Sequence, residues 1–359
     1  MKTFNVSKLR SLYGNYGYSK YKMSKFEEYD LYVRNKSFLI SDNIITFTDT
    51  DGKLMALKPD VTLSIVKNNQ GGTGVDKVYY DESVYRISNH AYKEIRQIGL
   101  ECIGDIDDYA IYETLMLAIK SLEAISDDFV LDISHMGILS DIMDELSVSE
   151  EGRADLLSCI GEKNPHGIKA ICAREGVAED KAKIICALAT TYGDAEKVIG
   201  WLSETIKSER GKAKLCKLKR MIGLLDNDKV KIDFSVVNDM SYYNGIVFKG
   251  FVNGVPASVL SGGQYDKLLL KMGKKGGAIG FAVYPDLLEA LYSEPNKYDV
   301  DAVLLYDEDA DVAELKNAVA KLTDDGYSVS VQKTAPEKLR YKKLLKLVEG
   351  EVKTLEDNA

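Results

Sequence analysis

One short stretch of this chain, Ile95–Cys102 (IRQIGLEC), has the residue types and spacing to do chemistry. Side chains alternate along a strand, so Gln97, Gly99 and Glu101 share one face. An amide and a carboxylate flanking a glycine leave room for a small polar ligand between them. The amide can accept from an ammonium group, and the carboxylate can accept from an imidazole N–H. On its own the pattern also fits a solvent-facing strand edge.

The other chemistry-bearing residues do not assemble into sites. Cys102, Cys159, Cys172, Cys186 and Cys216 include no CxxC pair and no zinc spacing, and read as reduced thiols buried on apolar faces. His90, His135 and His166 lack a Ser or Cys partner at a recognisable spacing, which fits packing or surface roles. Gly71-Gly72-Thr73-Gly74 and Gly273–Gly280 satisfy neither a P-loop nor a dinucleotide fingerprint and are expected in turns and close strand packing. Neither a metal nor a cofactor is expected.

The elements that must position Gln97 and Glu101 alternate with tight turns over residues 1 to about 135. Ile45 and Phe47 share a strand face, Asp51-Gly52 reads as a hairpin turn, and Leu54–Leu57 returns. Two short strands follow, Val78–Tyr80 and Val84–Arg86, before Ile95–Cys102. The apolar spacing of Ala110–Leu122 predicts a helix against that sheet. From about 147 to 225 the periodicity, the helix start at Asn164-Pro165 and the stop at Gly176 predict a run of short helices. Val230, Ile232 and Phe234 alternate as a strand. Asn253-Gly254 is the strongest hairpin signal, between expected strands Ile246–Val252 and Val255–Leu260. Gly277–Val283 reads as a buried strand and Asp286–Tyr292 as a closing helix. Beyond Glu294-Pro295-Asn296 come a strand (Ala302–Leu305), a helix (Val312–Leu322), a strand (Tyr327–Val331) and a charged helical tail.

At 359 residues the chain exceeds one typical domain. Its 45% hydrophobic content supports a real core. No apolar run is long enough for a membrane span and no signal peptide opens the chain, which points to the cytoplasm. The net charge of −9 argues against a nucleic-acid surface. The basic stretches Lys207–Arg220 and Lys338–Lys346 place Leu at helical spacing and read as solvated amphipathic helices.

Several segments resemble, in order, the signature blocks of the histidyl-tRNA synthetase family. They are Leu57-Lys58-Pro59-Asp60-Val61-Thr62, Tyr85-Arg86, Gln97–Glu101, Tyr242-Tyr243-Asn244, Ser261–Asp266 and Gly280-Phe281-Ala282. The resemblance implies that Gln97 and Glu101 hold a histidine, with Glu101 reading the imidazole. It implies that Asp60 and Thr62 take the α-amino group, that Tyr243 reaches the ring, and that Arg86 matches the arginine on the α-phosphate. At three other positions where the family carries arginine, this chain has Asn238, Gln264 and Leu287. Neutral side chains cannot replace guanidinium forks toward phosphate. Losing one preorganised donor typically costs on the order of 10²–10³ in rate. Arg86 is then a vestigial phosphate contact, and no residue is expected to be catalytic. The proline of the family's first motif aligns near Ser24, so that motif does not itself indicate a dimer.

A chain with that pocket, a neutralised ATP side and a shortened tail is similar to the regulatory subunits of ATP phosphoribosyltransferase, a family that performs no chemistry itself. The resemblance implies L-histidine as effector, a short-form catalytic subunit as partner, self-association within a hetero-oligomer, and a place in the first step of histidine biosynthesis. An active histidyl-tRNA synthetase and a stand-alone histidine sensor are the alternatives. The expected fold is α+β: a class II synthetase-like, mainly antiparallel sheet flanked by helices over residues 1–295. It carries a helical insertion at about 147–225 and a small C-terminal α/β domain over 296–359.

Overall fold

A computed structural model describes residues 5–35, 44–69, 74–88, 91–236, 242–288, 291 and 297–358. Residues 2–292 form one compact unit and residues 293–359 another. The first unit begins with α1 (Val6–Asn15), β1 (Ser19–Lys20), β2 (Phe26–Glu28), α2 (Tyr29–Arg34), β3 (Thr46–Thr48), β4 (Leu54–Leu57) and α3 (Val61–Asn68). Two long strands, β5 (Val75–Ser88) and β6 (Ala91–Gly104), pair over their whole length. They lead into α4 (Asp108–Glu123), β7 (Phe129–His135) and α5 (Met136–Asp144). The two short strands expected at Val78–Tyr80 and Val84–Arg86 are therefore one. No proline or glycine interrupts residues 75–88, so the ladder runs on.

The helical insertion comprises α6 (Glu150–Gly161), α7 (Pro165–Arg174), α8 (Glu179–Thr190), β8 (Tyr192–Asp194), α9 (Ala195–Thr205) and α10 (Glu209–Leu225). Side-chain caps explain its segmentation: Ser149, Asn164, Asp194 and Ser208 each accept from backbone N–H groups at a helix start, and Pro165 occupies the first turn of α7. The chain returns through β9 (Val230–Asp233), β10 (Ile246–Val252), β11 (Leu260–Gln264), α11 (Asp266–Lys271) and β12 (Gly277–Val283). A 3-10 turn over Pro285–Leu288 stands where the closing helix was expected; residues 289, 290 and 292 of that helix lie outside the described residues. Gly254 takes the left-handed conformation its turn requires, φ +86°. The returning strand nevertheless starts at Leu260 rather than Val255, because Pro256 has no N–H to give a ladder.

Nine strands form one sheet in the order β1-β5-β6-β12-β11-β10-β7-β9-β8. Two neighbour pairs, β1 with β5 and β7 with β9, are parallel and the rest antiparallel. The register divides the central strands into two faces. Leu100, Phe281, Leu260, Phe248, Leu131 and Ile133 bury against α4, whose Leu115 and Leu122 are fully enclosed. At Gly250 an added Cβ would lie 2.8 Å from the Leu122 methyls, so glycine lets that helix approach. The opposite face carries Gln97, Glu101, Ser261 and Lys249. A smaller sheet, β2-β4-β3, stands apart from the nine strands.

The second unit contains β13 (Val300–Leu305), α12 (Val312–Asp324), β14 (Val329–Gln332), β15 (Tyr341–Val348) and β16 (Glu351–Asp357). Their order in the sheet is β14-β13-β15-β16. The charged helical tail expected here is a β-hairpin, so Lys338–Lys346 is no amphipathic helix. Leu345 and Leu347 bury on the same side of β15 with Ala302, Leu304 and Ala318, a period of two that overrides the helical reading. Glu349 and Gly350 both have positive φ (52° and 78°), the geometry of a tight hairpin turn. Lys207–Arg220 does fall largely in α10, with Leu215 and Leu218 inward. Cys216 on its outer side is exposed, against expectation, and Cys159 and Cys186 are only half-buried, while Cys102 and Cys172 are enclosed.

Leu131 sits at the middle of the apolar face and is fully enclosed. Leu131→Ala should cost about 2–5 kcal/mol of stability. In urea denaturation, the midpoint should fall at unchanged slope.

Candidate functional site

The segment entering α3 is fixed before any ligand is considered. Lys58 is fully buried and pairs with Glu82 of β5 at 3.1 Å; burial lowers its pKa, with the Glu82 carboxylate opposing. Tyr85 N–H donates to the Lys58 carbonyl at 2.9 Å and Arg86 Nε–H to the Pro59 carbonyl at 3.2 Å. Asp60 then caps α3, its Oδ1 accepting from Leu63 N–H at 2.8 Å. Thr62 consequently stands in the first turn, aimed at the sheet.

Thr62 Oγ1 donates to Glu101 Oε1 at 2.8 Å, and the Tyr265 hydroxyl donates to Oε2 at 2.5 Å. Glu101 lies opposite Gly280 in the β6–β12 ladder, where an added Cβ would come 1.8 Å from Oε2. Glycine at 280 is thus a space requirement of the carboxylate. Gly99 is equally crowded: a Cβ would meet the Phe281 carbonyl at 2.2 Å and the Tyr80 hydroxyl at 2.5 Å.

These groups line one cavity of about 800 Å³ on the polar face of the sheet. Asp60, Thr62, Gln97, Glu101, Tyr243 and Arg86 all stand on its wall, although they span 184 residues (243 − 60 + 1) of sequence. Tyr243 packs beside Tyr242 with ring centroids 4.6 Å apart and the ring planes tilted by 59°. Leu287 also lines the cavity and is 39% exposed. Gln264 does not. Its Oε1 instead accepts from Ile246 N–H at 2.9 Å and stitches the turn before β10, a place where strand alternation directs it away from the cavity. Asn238 lies outside the described residues, as does His90. His135 caps α5 by accepting from Gly137 and Ile138 N–H, and burial lowers its pKa to about 4.

The cavity is electrostatically polarised. Burial pushes Glu101 up to about 8, helped by the Asp60 charge and opposed by Tyr265 and Thr62. Asp60 is raised by its own burial, with Leu63 N–H and Arg86 opposing. Tyr80, Tyr242 and Tyr265 are all pushed well above the usual phenol range by burial, so their hydroxyls remain donors. A ligand bringing positive charge or N–H donors to this end of the cavity would offset the burial of its two carboxyls by favouring their ionised forms. Sequence reasoning missed Tyr80, Tyr265 and Lys249 as wall residues. Alternation gives Tyr80, the cross-strand partner of Gly99, and Lys249 is the lone cation in the apolar strand IVFKGFV. Tyr265 turns inward at a strand–helix junction that no period marks. Among the described residues no cluster could hold a metal, and no helix is long and apolar enough to cross a membrane.

Residues 4–288 match the histidyl-tRNA synthetase family, and the chain belongs to it. The chain is 30% identical to the ATP phosphoribosyltransferase regulatory subunit of Caldanaerobacter subterraneus, over 77% of this chain and 74% of that one. It is 29% identical to the histidine–tRNA ligase of Methanococcus vannielii, over 77% of this chain and 68% of that one. Among solved structures it is similar to an ATP phosphoribosyltransferase regulatory subunit/histidyl-tRNA synthetase from Bacillus halodurans C. The TM-score is 0.74 at 25% identity, covering 95% of this chain and 92% of that one.

A carboxyl raised in the folded state binds protons that the unfolded chain, at an ordinary glutamate pKa, has already released. Its contribution is present at low pH and lost as pH rises through about 8. Between pH 7.5 and 8, above both the folded (about 4) and the ordinary unfolded pKa (6.5) of His135 and above Asp132 (about 6), unfolding free energy should fall as pH rises. Glu101→Gln should flatten most of that slope in urea titrations at a series of pH values.

Proposed function

We propose that this chain is a regulatory subunit of ATP phosphoribosyltransferase that does no chemistry itself, partners a short-form catalytic subunit and relays histidine feedback on the first step of histidine biosynthesis. The observation that carries the reading is the cavity end built by Asp60, Thr62, Gln97, Glu101 and Tyr243. Its acceptors suit an ammonium and an imidazole, and its aromatic wall suits a flat ring. Leu287 on the wall and Gln264 turned to the backbone leave no guanidinium at two positions where the family carries arginine, which supports a site without adenylation chemistry. Arg86, engaged with the Pro59 carbonyl, is then a remnant. Residues 1–295 act as the synthetase-like core and 296–359 as a C-terminal appendage. A homodimer within the hetero-oligomer belongs to the same proposal.

Histidine at this site shifts the assembly only by its differential affinity for two states, commonly about 1–3 kcal/mol. The test is phosphoribosyl transfer by a short-form catalytic subunit, with and without this chain, across a histidine titration. Activation that histidine suppresses is expected, and no effect of the chain on transfer would sink the reading. Glu101→Ala should abolish suppression while retaining activation; if suppression survives, the effector binds elsewhere. The ligase relative favours a second reading, an active synthetase, which predicts histidine-dependent pyrophosphate exchange with ATP.

A further inference from the structure

The cavity has a second end that the amino-acid pocket does not use. Lys249 reaches its wall from β10, opposite Ser261 of β11, and Ser261 Oγ lies 2.9 Å from the Tyr284 hydroxyl. Ser258 completes this end of the wall. Lys249 is half-buried and has no ion-pair partner among the described residues. Lys77 of β5, in the same sheet, differs: it pairs with Glu113 at 2.6 Å. Asp132, the cross-strand neighbour of Lys249, makes no ion pair with it and is held in the field of Asp233 and Lys163.

Glu101 and Lys249 stand three strand steps apart, with β12 and β11 between them, or about 14 Å across the sheet at ordinary strand spacing. The acidic end and this half-buried cation thus lie three strands apart on a wall that also carries Arg86 and Lys93. A volume of about 800 Å³ is in the range that takes drug-sized molecules, more than a single amino acid fills.

We propose that Lys249, with the hydroxyls of Ser258, Ser261 and Tyr284, forms an oxyanion-binding compartment that receives a carboxylate or phosphate while the Glu101 end holds the cationic part. This deepens the histidine reading and rests on it for the occupant of the acidic end. The oxyanion comes either from the amino acid's own carboxylate or from a separate phosphate-bearing small molecule bound beside it.

Calorimetric titration of the full chain separates the two sources. The probes are histidine, histidinol (which lacks the carboxylate) and, in saturating histidine, inorganic pyrophosphate. If the ligand's own carboxylate is received, wild type prefers histidine over histidinol by about tenfold or more. Lys249→Met then brings that preference close to one, and Lys249→Arg restores part of it. If a separate anion is received, pyrophosphate binds the wild-type chain with a salt-sensitive affinity that Lys249→Met loses. Ser261→Ala, which removes one hydroxyl without touching the charge, should weaken whichever anion binds by a few-fold. The compartment is refuted if Lys249→Met keeps both the histidine preference and any pyrophosphate binding of wild type. Failure of wild type to bind histidine at all would instead sink the amino-acid reading, leaving the pyrophosphate arm to decide the compartment; binding of neither probe refutes both.

Discussion

The acidic end of this structure is organised around one buried carboxylate. Glu101 rises from β6 of the sheet toward the first turn of α3, with a single hydroxyl on each oxygen and no cation touching it. Burying an ionised group without a partner is costly, so the carboxyl holds its proton far above the usual range. Everything nearby follows from accommodating it. Position 280 must lack a Cβ, Thr62 must arrive at the first turn of α3, and Tyr265 must turn inward as its strand ends. Lys58 and Glu82 hold the entry to α3 at the right height.

The sheet does two jobs by alternation. One face of the central strands is a conventional apolar layer, closed by α4 and carrying the stability of the unit. The other is kept polar and open by small residues, with Gly99, Gly280 and Ser261 where large side chains would fill the space. Asp266 shows how the open face is kept rigid. Its carboxylate accepts from Ala278 N–H and from Asn244 Nδ2, and its own N–H donates to Asn244 Oδ1. That cross-brace joins the Tyr-Tyr-Asn turn to the end of β11 without occupying the cavity.

Much of this was legible in the sequence where a local rule had no competitor. Strand Gly277–Val283, the helix over Ala110–Leu122 and the Asn164-Pro165 start follow from periodicity and caps. The joint placement of Asp60, Thr62, Gln97, Glu101 and Tyr243 on one wall was visible through family resemblance, not through spacing, because no periodic rule links residues so far apart. What failed was decided by long-range pairing. Tyr341–Val348 has leucines at both helical and alternate spacing, and only its neighbours β13 and β16 choose between them. The return of the Asn253-Gly254 hairpin was displaced by the missing N–H of Pro256, which the turn signal does not register. Gln264 stands where the family carries an arginine, yet its own backbone geometry sends its amide to Ile246.

Asp60 serves two masters, since the oxygen that caps α3 belongs to a carboxylate that also lines the cavity. Selection for an intact helix would preserve this acid even in a descendant that no longer met any small molecule. Thr62 and Tyr265 are bound by the same logic, as each satisfies a buried carboxyl whatever enters beside it. A pocket wired into its own scaffold decays slowly, and its outline can outlast the chemistry it first served.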